Sequence, residues 1–91
     1  MKKEALRKKG LFKKNKESHI LVLYNDDFNT FDHVIKSLVE VCGHDEVQAE
    51  QCAILAHYRG SCHIKTGPKS VLQSMFNSLT GRGLKSEIES C

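Results

Sequence analysis

The apolar positions of this chain fall into a succession of periods, and each change of period marks the border of an element. Ile20-Leu21-Val22-Leu23-Tyr24 is an unbroken apolar run with β-branched members, which predicts a short buried strand. From Phe31 the spacing turns helical: Phe31, Val34, Ile35, Leu38, Val39 and Cys42 predict a helix over about residues 30–42. Asn29 stands where its N-cap is expected, Asp32 lies in its first turn, and Gly43 is placed to stop it in a left-handed cap. Asp45 and Gln48 have the spacing of a capping box, so a second helix is expected after Asp45, ending at Gly60. Within it Ala49, Cys52, Ala53 and Ala56 form a face of small residues, and Val47, Ile54, Leu55 and Tyr58 put bulk elsewhere. Residues 62–66 alternate as a second strand, and Gly67-Pro68 opens a third helix with proline at its first position. Val71, Leu72, Met75, Phe76 and Leu79 are the apolar stripe of that helix, Gly81 and Gly83 close it, and residues 84–89 read as a last strand with Leu84, Ser86 and Ile88 on one face.

The order β-α-α-β-α-β is that of a small α+β sandwich. A helix joining the second and third strands makes those two parallel, with the first strand free to insert between them in a split β-α-β arrangement.

Two polar clusters interrupt this pattern. The first, Asn25-Asp26-Asp27, sits between the first strand and the first helix, inside the segment Tyr24-Asn25-Asp26-Asp27-Phe28-Asn29-Thr30-Phe31-Asp32, a strand-to-helix turn able to grip a cation. Taken alone, such a triplet is ordinary turn chemistry, because Asn and Asp bond their own backbone. The second, His57-Tyr58-Arg59-Gly60, ends the second helix. Taken alone, His57 reads as a histidine complementing the helix dipole. Strand, Asn25-Asp26-Asp27, helix, capped second helix and His57-Tyr58-x-Gly60, in that order, are more specific than either cluster. From about His19 to Glu89 the chain resembles the ClpS family of adaptor proteins, which bind destabilising N-terminal residues and hand their bearers to a Clp protease machine.

The resemblance implies a three-stranded sheet packed on three helices, an architecture shared with the C-terminal domain of the ribosomal stalk protein. It also implies that Asn25, Asp26, Asp27 and His57 hold the α-amino group of a guest. The chemistry agrees: a protein N-terminus is an ammonium with pKa about 7.7–8.0, three donors and no acceptor. The Asn25 amide oxygen, a carboxylate from Asp26 or Asp27 and a neutral imidazole nitrogen of His57 supply three acceptors. The guest side chain, from Leu, Phe, Tyr or Trp, would enter an apolar pocket at the positions matching Asn29, Phe31, Val34, Ala53, Ala56 and Leu84. Phe31 stands where a methionine is usual in the family, and Ala53 and Ala56 replace larger apolar residues. The segment between Gly60 and Leu84 is several residues shorter than in well-known bacterial relatives.

Composition narrows the classes. Ninety-one residues support one domain with one modest core and no large catalytic cleft. The net charge of +3 conceals an asymmetry: residues 1–17 hold eight Lys or Arg against Glu4 and Glu17, whereas residues 18–91 hold six against nine acids. Residues 1–17 are expected to be a disordered basic arm and residues 18–91 the folded, ClpS-like core domain. An acidic body disfavours a nucleic-acid face, and no apolar run is long enough for a signal peptide or a membrane span. Cys42, Cys52 and Cys62 fall within predicted elements and Cys91 just beyond the last one, so reduced thiols and a cytoplasmic location are expected. A zinc site from Cys42, His44, Cys52, Cys62 and His63 would need ligands from three elements without any CxxC or HxxxH pairing. No motif places a nucleophile, a phosphate loop or a second acid beside His57 and Asp27, so no catalytic residue, cofactor or metal is expected. The expected partners are N-degron substrate proteins and the N-terminal domain of a ClpA- or ClpC-type AAA+ unfoldase, with the protein itself monomeric. The competing reading is a ribosomal-stalk-like interaction domain without N-terminal residue recognition, against which Asn25-Asp26-Asp27 with His57 discriminates.

Overall fold

A computed structural model describes residues 18–91, and the basic arm expected over residues 1–17 lies outside the described residues. The elements are β1 (Ser18–Tyr24), α1 (Phe31–Cys42), α2 (Glu46–Arg59), β2 (Ser61–Pro68), α3 (Lys69–Gly81) and β3 (Ser86–Ser90). The three strands form one sheet in the order β2-β1-β3, with β1 antiparallel to both neighbours. Consequently β2 and β3 run parallel, as a helical crossover through α3 requires, and the unbroken apolar run of β1 is the central strand.

Leu21 and Leu23 of β1 meet Leu38 of α1, Leu72 and Leu79 of α3, Ile64 of β2 and Leu84 in one core. Ala49, Cys52, Ala53 and Ala56 of α2 are all buried, and their small side chains let the helix lie close over β1 and β2. The bulkier α2 residues Val47, Ile54, Leu55 and Tyr58 are exposed. All four cysteines are free, and burial pushes the Cys42 thiol up to about 11 against the pull of Lys65. Burial, reinforced by the neighbouring thiol of Cys62, raises that of Cys52 further.

The caps decide the ends of the helices. The Asp45 carboxylate accepts from the Gln48 N–H at 2.7 Å, and Gly43 and Gly60 close α1 and α2 with φ of 73° and 97°. Three borders differ from the sequence reading. The N-cap of α1 is Thr30, whose extended backbone lets its hydroxyl accept from the His33 N–H at 3.1 Å, while the Asn29 side chain is drawn away to other partners. Pro68 is not the first helical residue but the N-cap of α3, at ψ 145°. Strand β2 extends through it, pairing Gly67 with His19 and Pro68 with Ser18; a proline is tolerated there because β2 is an edge strand. Finally, β3 begins at Ser86, because Leu84 belongs to the turn that ends α3, its N–H bonded to the Leu79 carbonyl at 3.0 Å and its side chain in the core.

β2 also carries an irregularity that periodicity does not reveal. The pairing passes from Leu21 with Lys65 to Val22 with His63, leaving Ile64 as an extra residue, and the Ile64 carbonyl accepts from Nε2 of the buried His44 at 3.0 Å.

Candidate functional site

β1 ends, α1 begins and α2 ends at the same end of the domain. Two main-chain hydrogen bonds tie these ends together: Tyr24 N–H donates to the Lys85 carbonyl at 2.8 Å, and Asn25 N–H donates to the Gly60 carbonyl at 3.0 Å. The second bond uses the carbonyl of the left-handed cap of α2, so the residue that stops the helix also anchors the Asn25 loop near the last turn of α2, which carries His57.

The loop is held by its own polar side chains. Asp26 Oδ1 accepts from the backbone N–H groups of Phe28 at 2.8 Å and Asn29 at 2.9 Å, and its Oδ2 accepts from the Asn29 side-chain amide at 2.9 Å. That amide also donates to the Gly83 carbonyl at 2.9 Å, which joins the loop to the turn before β3. His33 Nε2 donates to the Arg82 carbonyl at 2.8 Å alongside it. Partial burial works to raise the pKa of Asp26, but the Asn29 amide, the two backbone donors and nearby Lys85 outweigh it, so the carboxyl titrates below its ordinary value of 3.8.

Between these elements lies a pocket of about 360 Å³, counted to its open mouth. Leu23, Val34, Ala53 and Ala56 supply apolar lining, with both alanines 4% exposed. Tyr24, Asn25, Asp26, Asn29, Phe31 and His57 complete the wall. Phe31 is 43% exposed and its ring meets the His57 imidazole edge-on, with centroids 5.2 Å apart, so it flanks the histidine at the rim. The other side of His57 packs edge-on against Tyr58 at 4.7 Å. Among the described residues neither the Asn25 side chain nor the His57 ring makes a hydrogen bond; the histidine is fixed by ring contacts alone.

Eight of the ten residues singled out from the sequence converge on this pocket: Asn25, Asp26, Asn29, Phe31, Val34, Ala53, Ala56 and His57. Asp27 and Leu84 line a second, shallower depression on the other side of the Asn25-Asp26 loop, with Phe28 and Lys85. Leu84 is a core residue that closes the floor there. Sequence reasoning did not single out Leu23 and Tyr24. Leu23 could have been found from strand alternation, because it shares with Leu21 the face turned to the helices. Tyr24 carried no such signal; its hydroxyl donates to the Glu89 carboxylate across the sheet, a bond that raises the phenol pKa above its ordinary value of 10.0.

An apolar hole rimmed by unpaired acceptors suits a ligand whose cationic group is covalently next to an apolar one. Among the described residues no group of three or more His, Cys, Asp or Glu side chains is arranged to hold a metal ion, and no helix is long and apolar enough to cross a membrane.

No curated protein matches the chain in sequence. Among solved structures, the fold is similar to that of Agrobacterium tumefaciens ClpS2 bound to L-phenylalaninamide, with a TM-score of 0.73 and 19% identity over 81% of this chain and 96% of that one. The three-stranded, three-helix α+β architecture is therefore common to both. The family model of the ATP-dependent Clp protease adaptor protein ClpS matches residues 14–87, the whole sheet-and-helix unit but its last few residues, and the chain belongs to the ClpS family.

Proposed function

We propose that this protein is a non-catalytic adaptor of the cytoplasm that binds bulky apolar N-terminal residues, Leu, Phe, Tyr or Trp, of substrate proteins. It delivers those proteins to a Clp AAA+ unfoldase-protease by docking on the N-terminal domain of a ClpA- or ClpC-type unfoldase. The observation that carries the reading is the pocket itself: an apolar lining from Leu23, Val34, Ala53 and Ala56 beside two side chains, Asn25 and His57, whose polar atoms the fold leaves unused. Leaving acceptors idle at the rim of an apolar hole costs little only while water reaches them, and a ligand that excludes the water must supply donors. A free α-ammonium next to a large apolar side chain meets both demands. The similar ClpS2 structure contains L-phenylalaninamide, which carries those two groups on one carbon.

The hydrogen bonds of the loop support different roles for the two aspartates. A carboxylate offers about four lone-pair sites; Asp26 spends three on the loop, two at Oδ1 and one at Oδ2. Its remaining site, on Oδ2, is the one available to the guest's ammonium. Asp27 lies outside the pocket and contributes negative potential rather than a contact. The grip is therefore Asn25, His57 and the spare Oδ2 site of Asp26.

The test is a peptide beginning with Phe, measured by fluorescence anisotropy against its N-acetylated twin. Acetylation removes the charge and two donors, leaving acceptors unpaired at about 1–3 kcal/mol each, so binding is expected to fall by about tenfold or more. Equal affinity for the two peptides refutes the reading.

A further inference from the structure

A second concave surface lies on the outer side of α1 and α2, adjoining the pocket but distinct from it: an open groove of about 1000 Å³. Its apolar part is Ile35 and Val39 of α1, the latter 36% exposed. Around them stand Asp32 and Glu40 of α1 and Glu46 and Glu50 of α2, with Lys36 the single cation among the described residues of the lining. Glu40 is paired with Arg82 at 2.8 Å, whereas among the described residues Asp32, Glu46 and Glu50 are in no ion pair. Three acids in no ion pair, against Lys36, leave the apolar strip ringed by net negative charge and call for an occupant that is basic and carries apolar side chains.

The chain contains such a segment. Residues 1–17 carry eight Lys or Arg, and within them Lys8-Lys9-Gly10-Leu11-Phe12-Lys13-Lys14 places two apolar side chains between two pairs of cations. We propose that this basic arm docks in cis on the α1–α2 groove, with Leu11 and Phe12 over Ile35 and Val39 and the flanking lysines beside Glu46, Glu50 and Asp32.

Topology puts the arm within reach. Tyr24, Phe31 and His57 share the pocket, so the C-terminal end of β1 lies with the start of α1 and the end of α2. Ser18, at the opposite end of β1, therefore lies toward the end where α1 stops and α2 starts with Glu46. Six Cα-to-Cα steps lead from Phe12 to Ser18, a span of up to about 20 Å when extended, close to the length of about 21 Å expected for a helix of the size of α2. Tethering raises the local concentration of the arm to about the millimolar range, so a contact too weak to hold a free peptide is populated in cis. A docked arm neutralises the acidic face beside Asp32 without covering the pocket, whose wall begins one residue earlier at Phe31.

The experiment uses the full chain labelled for amide NMR. The wild type is compared with a variant carrying Lys8→Glu, Lys9→Glu, Lys13→Glu and Lys14→Glu, at low salt and in 1 M salt, where the screening length falls to about 3 Å. Resonances of Ile35, Val39, Glu46 and Glu50 are expected to differ between the two proteins at low salt and to converge at high salt, while Leu21 and Leu72 stay unchanged. Glu46→Lys with Glu50→Lys should abolish the arm-dependent difference, and combining both charge reversals should restore it. Identical groove resonances in the wild type and the arm variant overturn the proposal. So does a difference that grows with protein concentration, which would make the groove a contact between copies instead.

Discussion

Filling the pocket separates a binding cavity from ordinary core. Ala53 lies on the buried face of α2 and lines the pocket, yet it is not part of the main hydrophobic cluster. Ala53→Leu adds three carbons directed into that space. If the space is vacant in the free protein, those carbons gain up to about 0.8 kcal/mol per buried CH₂, roughly 2 kcal/mol in all as an upper bound. If neighbouring side chains already fill it, overpacking costs about 1–3 kcal/mol instead. The sign of the stability change thus reports whether the pocket is empty. Binding reports the same thing independently, because a guest side chain excluded from the pocket forfeits about 1.5–3 kcal/mol of burial, roughly tenfold to a hundredfold in affinity. Urea unfolding of both proteins, with anisotropy titrations of Leu-first, Phe-first and Trp-first peptides, measures both quantities. The expected result is unchanged or increased stability with weakened binding, Trp and Phe losing more than Leu. A variant that is destabilised and binds all three peptides as the wild type does would show that this stretch of α2 simply packs core.

The loop and the thiols give further outcomes. Asp26→Ala removes three hydrogen bonds and should cost about 1–3 kcal/mol of stability in addition to weakening peptide binding. Because the folded-state pKa of Asp26 lies below its ordinary 3.8, its contribution is complete above that value and is lost as pH falls through the depressed one. Urea midpoints of wild type and variant should therefore differ at neutral pH and converge below it, and a gap persisting in strong acid would refute the assignment. Gly60→Ala meets no side chain but must hold φ near 97°, so it should cost about 1 kcal/mol or more and also weaken binding, because the Gly60 carbonyl anchors Asn25. Under native conditions near neutral pH an alkylating reagent should modify exposed Cys91 first and spare Cys42 and Cys52, both buried with raised pKa values, until the protein is unfolded; early labelling of Cys52, read by peptide mass, would contradict the packing of α2.

Most of this fold was legible because its elements obey strong local rules. The apolar run at Ile20–Tyr24, short and with β-branched members, reads as a strand whose middle residues Leu21, Val22 and Leu23 are buried, and Asp45 with Gln48 fixes the start of α2 as directly as Gly43 and Gly60 fix two helix ends. The misread borders share one cause. Asn29 is as good a cap as Thr30 in isolation, but Asp26 and the Gly83 carbonyl, the latter 54 residues away, compete for its amide. Likewise Pro68 reads as the start of a helix until β1 supplies Ser18 as its strand partner. The extra residue at Ile64 in β2 and the capture of its carbonyl by His44 have no periodic signature at all. At the site, residue types singled out eight residues that line one pocket, but sequence could not tell that Asp26 lines it and Asp27 does not, because that distinction lies in the path of the loop backbone.

That path divides the polar residues of the site into two groups with different vulnerabilities. Asp26 and Asn29 form a closed set of bonds that holds the loop to itself and to Gly83, so they build the pocket as well as line it. Asn25 and His57 are positioned by other means, Asn25 through its backbone N–H to Gly60 and His57 through the rings of Phe31 and Tyr58, and neither side chain carries a hydrogen bond of the fold among the described residues. Free energy spent placing them is spent on main chain and ring packing, which leaves their polar atoms unsatisfied and turned to a shared apolar hole. A side chain that stabilises nothing in the free protein can be replaced at little cost to folding and full cost to binding. Asn25 and His57 are the positions where that separation should be cleanest, and Asp26 is where it should fail.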